Sequence, residues 1–455
     1  MATVTLRKQK KKYVLYLDKE ELDERDIKAI LDTHDMNRLV YEKLQDYYEA
    51  EHDILFRELP EGAKNNRLVN NYAGYIVDVA AGYFAGKPIS YSSDSDDYMS
   101  EIKNIFDDSN EQDNISVLTK WVLTKKHAFE ILYTNEDSKI KMSVEEPENM
   151  IMIYDTQIEP EPLFAIRRSK SDELHDITNE EKITLYTRDK IKEYNYKDGA
   201  INFIEEYEHF FGGVPVIEYM LNEERIGVFE KQLTLIDAYN KSQSDTQNDI
   251  EYFADSYLAL IGMGATEEED IKDMKDNRVI LLDENGQAYF ITKQVNDSYL
   301  ENQKNRLKED IHRFSMVPNL TDESFSGNLS GVALKFKLWG LEQVASSLER
   351  KFKTSIARRT KLITNILNIK SNYNYRDLRQ HYTRNIPEHI KEEAEVLGML
   401  LGKVSDDTAY AKMSFIDDPR VEREAMEEQR QERMKTYSLS DDNEEDDDVD
   451  EDNEV

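Results

Sequence analysis

There is no cysteine anywhere in the 455 residues. That excludes disulfides and thiolate metal sites, and it fits a chain kept in a reducing cytosol. Long apolar runs are missing as well. The longest, about Tyr257 to Ile261, falls far short of the roughly 20 residues a membrane helix needs. No membrane role is expected. The opening residues, MATVTLRKQKKKYVLYL, are basic but lack an apolar core long enough for a signal peptide. Hydrophobic residues make up 39% and the mean hydropathy is −0.74. Much of the chain therefore belongs on helices with solvated faces or in extended elements. Tryptophan is scarce, with two residues against 27 tyrosines. Tyrosine, with an apolar ring and a polar tip, suits buried subunit contacts and hints at assembly.

Basic side chains are also short. Lys and Arg number 59 against 94 acids, a net charge of −35. The tail Asp441–Val455 holds eleven acids and no base, so the chain without it still stands at −24. By composition this tail is disordered. Affinity for a phosphate backbone comes from Lys and Arg, so a chain this acidic repels one. Either it does not meet nucleic acid, or it handles DNA without holding it.

Catalytic signals are weak. Gly82-Tyr-Phe-Ala-Gly-Lys-Pro88 looks like a phosphate loop but has one residue too few between its glycines. Pro88 also stands where Ser or Thr must hold magnesium. The histidines form no HExxH and no tight pair, and each is read as a packing or surface residue. Acidic clusters such as Glu267-Glu-Glu-Asp270 and Asp406-Asp407 suit helix starts better than metal ions. No GxSxG or other nucleophile motif occurs. The basic cluster Lys8 to Lys12 is read as a solvated strand edge. The chain is not expected to be an enzyme or to carry a cofactor.

A length of 455 residues suits two to four domains on the usual size of about 100–200 residues each. Residues 1–18 read as extended, Leu22–His34 and Asp35–Tyr48 as two short helices, and Asn65–Phe84 as a helix. Two more helices follow, about Met99–Phe106 and Asn114–Lys125. From His127 to Asn222 the period changes to two, giving a mostly antiparallel sheet with a hairpin at Asp198-Gly199. Helices return at Glu223–Asp255, whose middle, Asn240 to Asp249, is polar on every side. Such a helix bridges solvent or is held by neighbours. Residues 256–295 read as strand, helix, strand and strand, with a capping pair at Thr266 and Glu269. Asn296–Phe314 is a second helix, so the two helices form a stalk if antiparallel. A Ser- and Gly-rich loop after Pro318 feeds a helix from Gly331 to Leu367. Its stripe is Leu334, Leu338, Leu341, Ala345, Leu348, Phe352 and Ile356. Gly340 is its weak point, where a bend or a close helix contact is expected. Tyr373–Arg384 reads as strand. Helices follow at Pro387–Leu401, ended by Gly402, then at Ser405–Phe415 and Arg420–Tyr437.

Three stretches carry a family likeness. They are Asn65 to Pro88; Asn222 to Asp245; and Asp310–Phe314 with Pro318-Asn319, Phe325–Gly331 and Lys335–Gln343. In these stretches and in the order of its parts, the chain resembles the portal proteins of tailed double-stranded DNA bacteriophages, the type found in siphophages of Gram-positive hosts. The likeness covers about residues 35–435. It implies an α+β class and a portal fold with an α+β wing, a long-helix stem, a small α/β clip, a tunnel helix and a helical crown. The implied wing is 1–223 with 368–385. The stem is 224–255 and 296–318, around a clip at 256–295. The tunnel loop is 319–331, the tunnel helix 332–367 and the crown 386–437, before the acidic tail 438–455.

The resemblance further implies a homo-oligomeric ring, typically of twelve subunits, at one capsid vertex of the virion and assembled in the host cytoplasm. Double-stranded DNA would pass through it in packaging and ejection without sequence-specific binding. Its partners would be the terminase large subunit, the head–tail adaptor, and the major capsid and scaffolding proteins. The ATP chemistry would belong to the terminase. The tunnel loop would supply Thr321, Asp322, Glu323, Ser324, Phe325, Ser326, Gly327, Asn328, Leu329 and Ser330 to the channel. Lys241, Gln243, Ser244, Gln247 and Asn248 would line it from the stem. The competing reading is a helical scaffold or adaptor without a DNA channel.

Overall fold

The computed structural model describes residues 14–170, 180–254, 257–261, 267, 272, 287–291, 297–322, 325, 331–386, 390–411, 413, 416 and 419–441. Most of the expected 256–295 unit between Ile261 and Gln287, its capping pair Thr266/Glu269 included, and the acidic tail from Asp442 onward lie outside the described residues.

The described chain mixes helix and sheet. After a short strand β1 (Leu15–Tyr16), helix α1 (Glu24–Tyr48) opens on a capping box. Asp23 accepts from the Asp26 N–H at 2.8 Å and Asp26 returns the contact. The sequence suggests two helices meeting at His34–Asp35; there is one. Asp35 is not a cap. Its carboxylate leaves the helix side to meet Arg168 at 2.5 Å. Helix α2 (Tyr72–Ala85) starts at Tyr72, not Asn65, with Asn71 as its cap accepting from the Gly74 N–H. Strand β2 (Ser90–Ser92) and helices α3 (Asp96–Asp107) and α4 (Glu111–Lys125) follow.

Every period-two segment then forms a strand: β3 (His127–Thr134), β4 (Ile140–Glu145), β5 (Met150–Tyr154), β6 (Pro162–Lys170), β7 (Glu181–Tyr186), β8 (Lys190–Lys197), β9 (Ala200–Glu208) and β10 (Val216–Met220). They divide into a six-stranded sheet ordered β1-β5-β6-β7-β8-β9 and a three-stranded sheet ordered β10-β3-β4. The pairings are antiparallel except β1 with β5. Asp198 and Gly199 join β8 to β9 with φ of 48° and 79°, both left-handed, as a two-residue type I′ turn requires.

The expected helix start at Glu223 is also late. Arg225 is left-handed, and Gly227 packs so closely that a Cβ would lie 3.0 Å from the Thr124 carbonyl. Helix α5 (Leu233–Ala254) begins beyond this irregular stretch. It leads to strand β11 (Tyr257–Ile261), which pairs antiparallel with β12 (Gln287–Ile291), and α6 (Asp297–Ser315) returns. The two helices run antiparallel, because Tyr239 near the start of α5 and His312 near the end of α6 both pack on Tyr72.

The long helix is in two pieces, α7 (Gly331–Lys337) and α8 (Trp339–Leu367), interrupted at Leu338, where ψ opens to 0° while the Leu338 N–H still bonds the Leu334 carbonyl and the Glu342 N–H the Leu338 carbonyl. Gly340 is a close contact: a Cβ there would sit 2.9 Å from the Met316 carbonyl oxygen. Strand β13 (Arg379–His381) pairs with β2. Helices α9 (Ile390–Leu400), α10 (Asp406–Tyr410) and α11 (Pro419–Asp441) complete the described chain, with Gly402 at φ +77° after α9. The largest apolar core joins α2, α3, α4, the three-stranded sheet and α8. A second lies between α1 and the six-stranded sheet, and a third between the two sheets.

Candidate functional site

Helix α8 is the post to which the rest is fixed. Leu341, Ala345, Leu348, Phe352 and Ile356 are buried as its stripe predicts. The next position along that stripe is Arg359, fully buried. Its guanidinium donates to Glu111 at 2.6 Å, to Glu130 at 3.3 Å and to the Tyr91 hydroxyl at 3.0 Å, and it lies 4.7 Å over the Phe106 ring. The Tyr219 hydroxyl donates to the other oxygen of Glu130 at 2.8 Å. Burial pushes the Glu130 carboxyl above its ordinary value, and Arg359 and Tyr219 offset this only in part. A buried charge needs partners of this kind, since desolvation costs several kcal/mol per ion.

Two more polar clusters hold the same helix. The Ser355 hydroxyl donates to the Glu218 carbonyl at 2.6 Å. The Glu218 carboxylate receives both guanidinium arms of Arg225 at 2.7 Å, together with His127 Nδ1 and the Tyr154 hydroxyl. Burial would raise this carboxyl, but Arg225 and His127 overcome it and hold it well below the usual range. Near the helix start, Arg384 bridges Glu342 and Glu349, and Glu342 also accepts from Tyr83 and Ser346. Burial opposes ionisation of Glu342, yet these donors lower its pKa.

The segment before α8 is held differently. The Tyr75 hydroxyl donates to the Pro318 carbonyl at 3.2 Å and accepts from the Leu320 N–H at 2.7 Å. Of the expected loop residues, Thr321 bonds Asn319 at 2.7 Å. Asp322 accepts the Phe325 N–H through its carbonyl. Phe325 rests against the main core with the Lys337 ammonium 5.1 Å over its ring. Glu323, Ser324, Ser326, Gly327, Asn328, Leu329 and Ser330 lie outside the described residues. Across the interruption, Val332, Phe336 and Trp339 are 63, 75 and 62% exposed.

The polar middle of α5 has a different explanation from a channel face. Asn240, Ser244 and Asn248 recur every fourth residue and are buried. They accept the backbone N–H groups of Asn70 (2.8 Å), Leu68 (2.9 Å) and Asn66 (2.7 Å). Four helical residues rise about 6 Å and two extended residues about 6.6 Å, so the repeats match. This ladder keeps 66–70 extended and delays α2 to Tyr72. Ser244 and Asn248 therefore do not line an open surface, which corrects the expectation for these two. Lys241 is exposed and Gln243 and Gln247 are half-buried.

Sequence reasoning passed over Arg359, Glu130, Glu218 and Tyr75. Three of these left a mark: Arg359 sits at stripe spacing after Ile356, and Glu130 and Glu218 are lone acids inside the apolar strands β3 and β10. Tyr75 left none. Among the described residues, no group of three or more His, Asp or Glu side chains is placed to hold a metal ion, and no helix is long and apolar enough to cross a membrane.

The family described as phage portal protein, SPP1 Gp6-like, matches residues 27–436. The portal protein of Bacillus phage SPP1 is 23% identical over 460 residues, covering 94% of this chain and 90% of the relative. That of Clostridium phage phiCD119 is 25% identical over 431 residues, covering 86% and 93%. A solved structure of the neck of a native gene transfer agent particle, computed with C12 symmetry, is similar at 10% identity and a TM-score of 0.47. It covers 77% of this chain and 95% of that one. With the match running through nearly every element described above, the chain belongs to the phage portal protein family.

Proposed function

We propose that this portal protein closes into a ring of about twelve subunits at one capsid vertex, and that the 319–331 loop gates the DNA channel the ring encloses. The observation that carries this reading is the contrast along one helix. Two buried polar clusters, around Arg359 and Glu218, fix α8 to the three-stranded sheet and its neighbours, and a part-buried one around Arg384 ties its start to α2. Among the described residues, α7 and the loop root are held by smaller contacts: Tyr75 on Pro318 and Leu320, Phe325 and Leu334 against the main core, and the Leu338 N–H on the Leu334 carbonyl. A rigid post with a lightly held head is what a gate needs.

On this reading, 1–223 with 368–385 is the wing, and 224–255 with 296–318 is the stem. The clip is 256–295, the tunnel helix 332–367 and the crown 386–437, before the tail 438–455. Lys241, Gln243 and Gln247 face the channel. A net charge of −35 keeps phosphates from sticking, so DNA slides without being held. The role is structural, and the energy for packaging comes from a terminase large subunit docked on the clip. The head–tail adaptor takes that place afterwards, and capsid and scaffolding proteins surround the ring as it assembles in the host cytoplasm.

Deleting Thr321–Ser330 tests the gate. Ring assembly should survive, while DNA packaging or retention falls. Loss of assembly with no effect specific to DNA would overturn the gate assignment.

A further inference from the structure

The six-stranded sheet ends on β9, whose outer edge has no neighbouring strand among the described residues. This edge is nine residues long, about 30 Å. Every residue in it except Ile201 is exposed, including Phe203, Ile204 and Tyr207. A long edge with exposed apolar side chains is a template for another strand unless something blocks it. A bulge at Ile204 interrupts its pairing with β8, and the remaining guard is charge: Glu205, Glu206 and Glu208. Lys190 neutralises Glu206 at 2.7 Å, but neither Glu205 nor Glu208 is in an ion pair among the described residues. Such an edge repels an acidic strand and attracts a basic one.

One stretch of this acidic chain has the right composition. Residues 1–13 contain Arg7, Lys8, Lys10, Lys11 and Lys12, no acid, and the strand formers Thr3, Val4, Thr5 and Leu6. They lead into β1, the opposite edge of the same sheet. Reaching β9 within one subunit means crossing the width of the sheet, about 24 Å at 4.8 Å per strand. The basic residues Arg7–Lys12 stand only three to eight residues before Leu15 of β1, a reach of about 10–28 Å at full extension, so most of them fall short of the outer edge of β9 in their own subunit. A neighbouring subunit that presents its β1 edge to this β9 edge has no such crossing to make.

We propose that residues 1–13 of a second copy add to the outer edge of β9, with their basic side chains against Glu205 and Glu208. The sheet of one subunit is then continued by the next. The contact is head-to-tail, the kind that closes into a ring, and in this respect it rests on the ring reading above.

Two measurements test it. The first titrates a labelled peptide of residues 1–13 onto the chain lacking those residues, at low salt. Saturable binding is expected, weakened about ten-fold by Glu205→Lys with Glu208→Lys, since each exposed charge pair contributes modestly. Both positions are exposed, so the thermal melt of that variant should match the parent. The second uses the absence of native cysteine. Lys10→Cys and Glu205→Cys chains, differently tagged and co-expressed, should yield a disulfide-linked pair on oxidation. No peptide binding, or a cross-link formed only within a chain carrying both substitutions, overturns the proposal. Peptide binding and cross-links without rings would sink the ring reading and leave the strand contact standing. Intact rings with a silent peptide and no cross-link would do the reverse.

Discussion

Replacing Arg359 by methionine removes the cation from a site where both of its carboxylate partners are buried. The substitution deletes contacts to Glu111, Glu130 and Tyr91 and strands two carboxylates at 2 and 0% exposure. Removing one member of a buried ion pair costs about 3–5 kcal/mol, because the charge left behind is uncompensated. Glu130 limits the loss: its carboxyl is already raised by burial, so in the variant it takes up a proton. The folded variant then binds more protons than the unfolded chain, so its stability falls as pH rises, and the defect should be larger at pH 8 than at pH 6. Urea unfolding of Arg359→Met at both values measures this. The triple variant with Glu111→Gln and Glu130→Gln has no buried charge to satisfy and should recover most of the loss. A single-variant loss under about 1 kcal/mol, or no recovery in the triple, would refute the idea that this cluster anchors α8.

Three further expectations follow from the same geometry. In Gly340→Ala, a helix-propensity gain of about 1 kcal/mol opposes overpacking against Met316, which costs about 1–3; net destabilisation in urea is expected, and a more stable variant would show that the contact yields. Asn240→Leu leaves the Asn70 N–H without its acceptor, so hydrogen exchange should speed up through 66–70; unchanged protection would contradict the ladder. Burial holds His34 at about 3 and also lowers His52, His127, His209 and His312. An unfolded histidine binds its proton near pH 6.5, so below that value stability falls with pH, by about 2 kcal/mol at pH 5 from His34 alone. Thermal melts from pH 7 to 5 should show the decline, and His34→Gln should flatten it.

Periodicity made most elements legible. The strands of 127–220 alternate or are rich in β-branched and aromatic residues, and the stripe of α8 is buried where expected. Element starts were harder wherever a distant group decided them. Asn65 to Asn71 reads as the first turns of α2, because nothing local says that Asn240, Ser244 and Asn248 claim its N–H groups. Ser244 and Asn248 read as part of a channel face, because a polar helix surface looks alike whether it meets water or a neighbouring backbone. The split expected between His34 and Asp35 is absent, and Asp35 finds its partner in Arg168, far along the chain. The ion clusters under α8 join residues from α4, β3, β10 and α8, and no spacing in the sequence brings those together.

The central claim is a ring with a hole. Light scattering on a sizing column, followed by negative-stain images of the full chain with and without its capsid and scaffolding proteins, tests it most directly. The account predicts a closed particle of about twelve subunits around a central channel. A chain that stays monomeric even with those partners present, or that grows into open filaments, would contradict it.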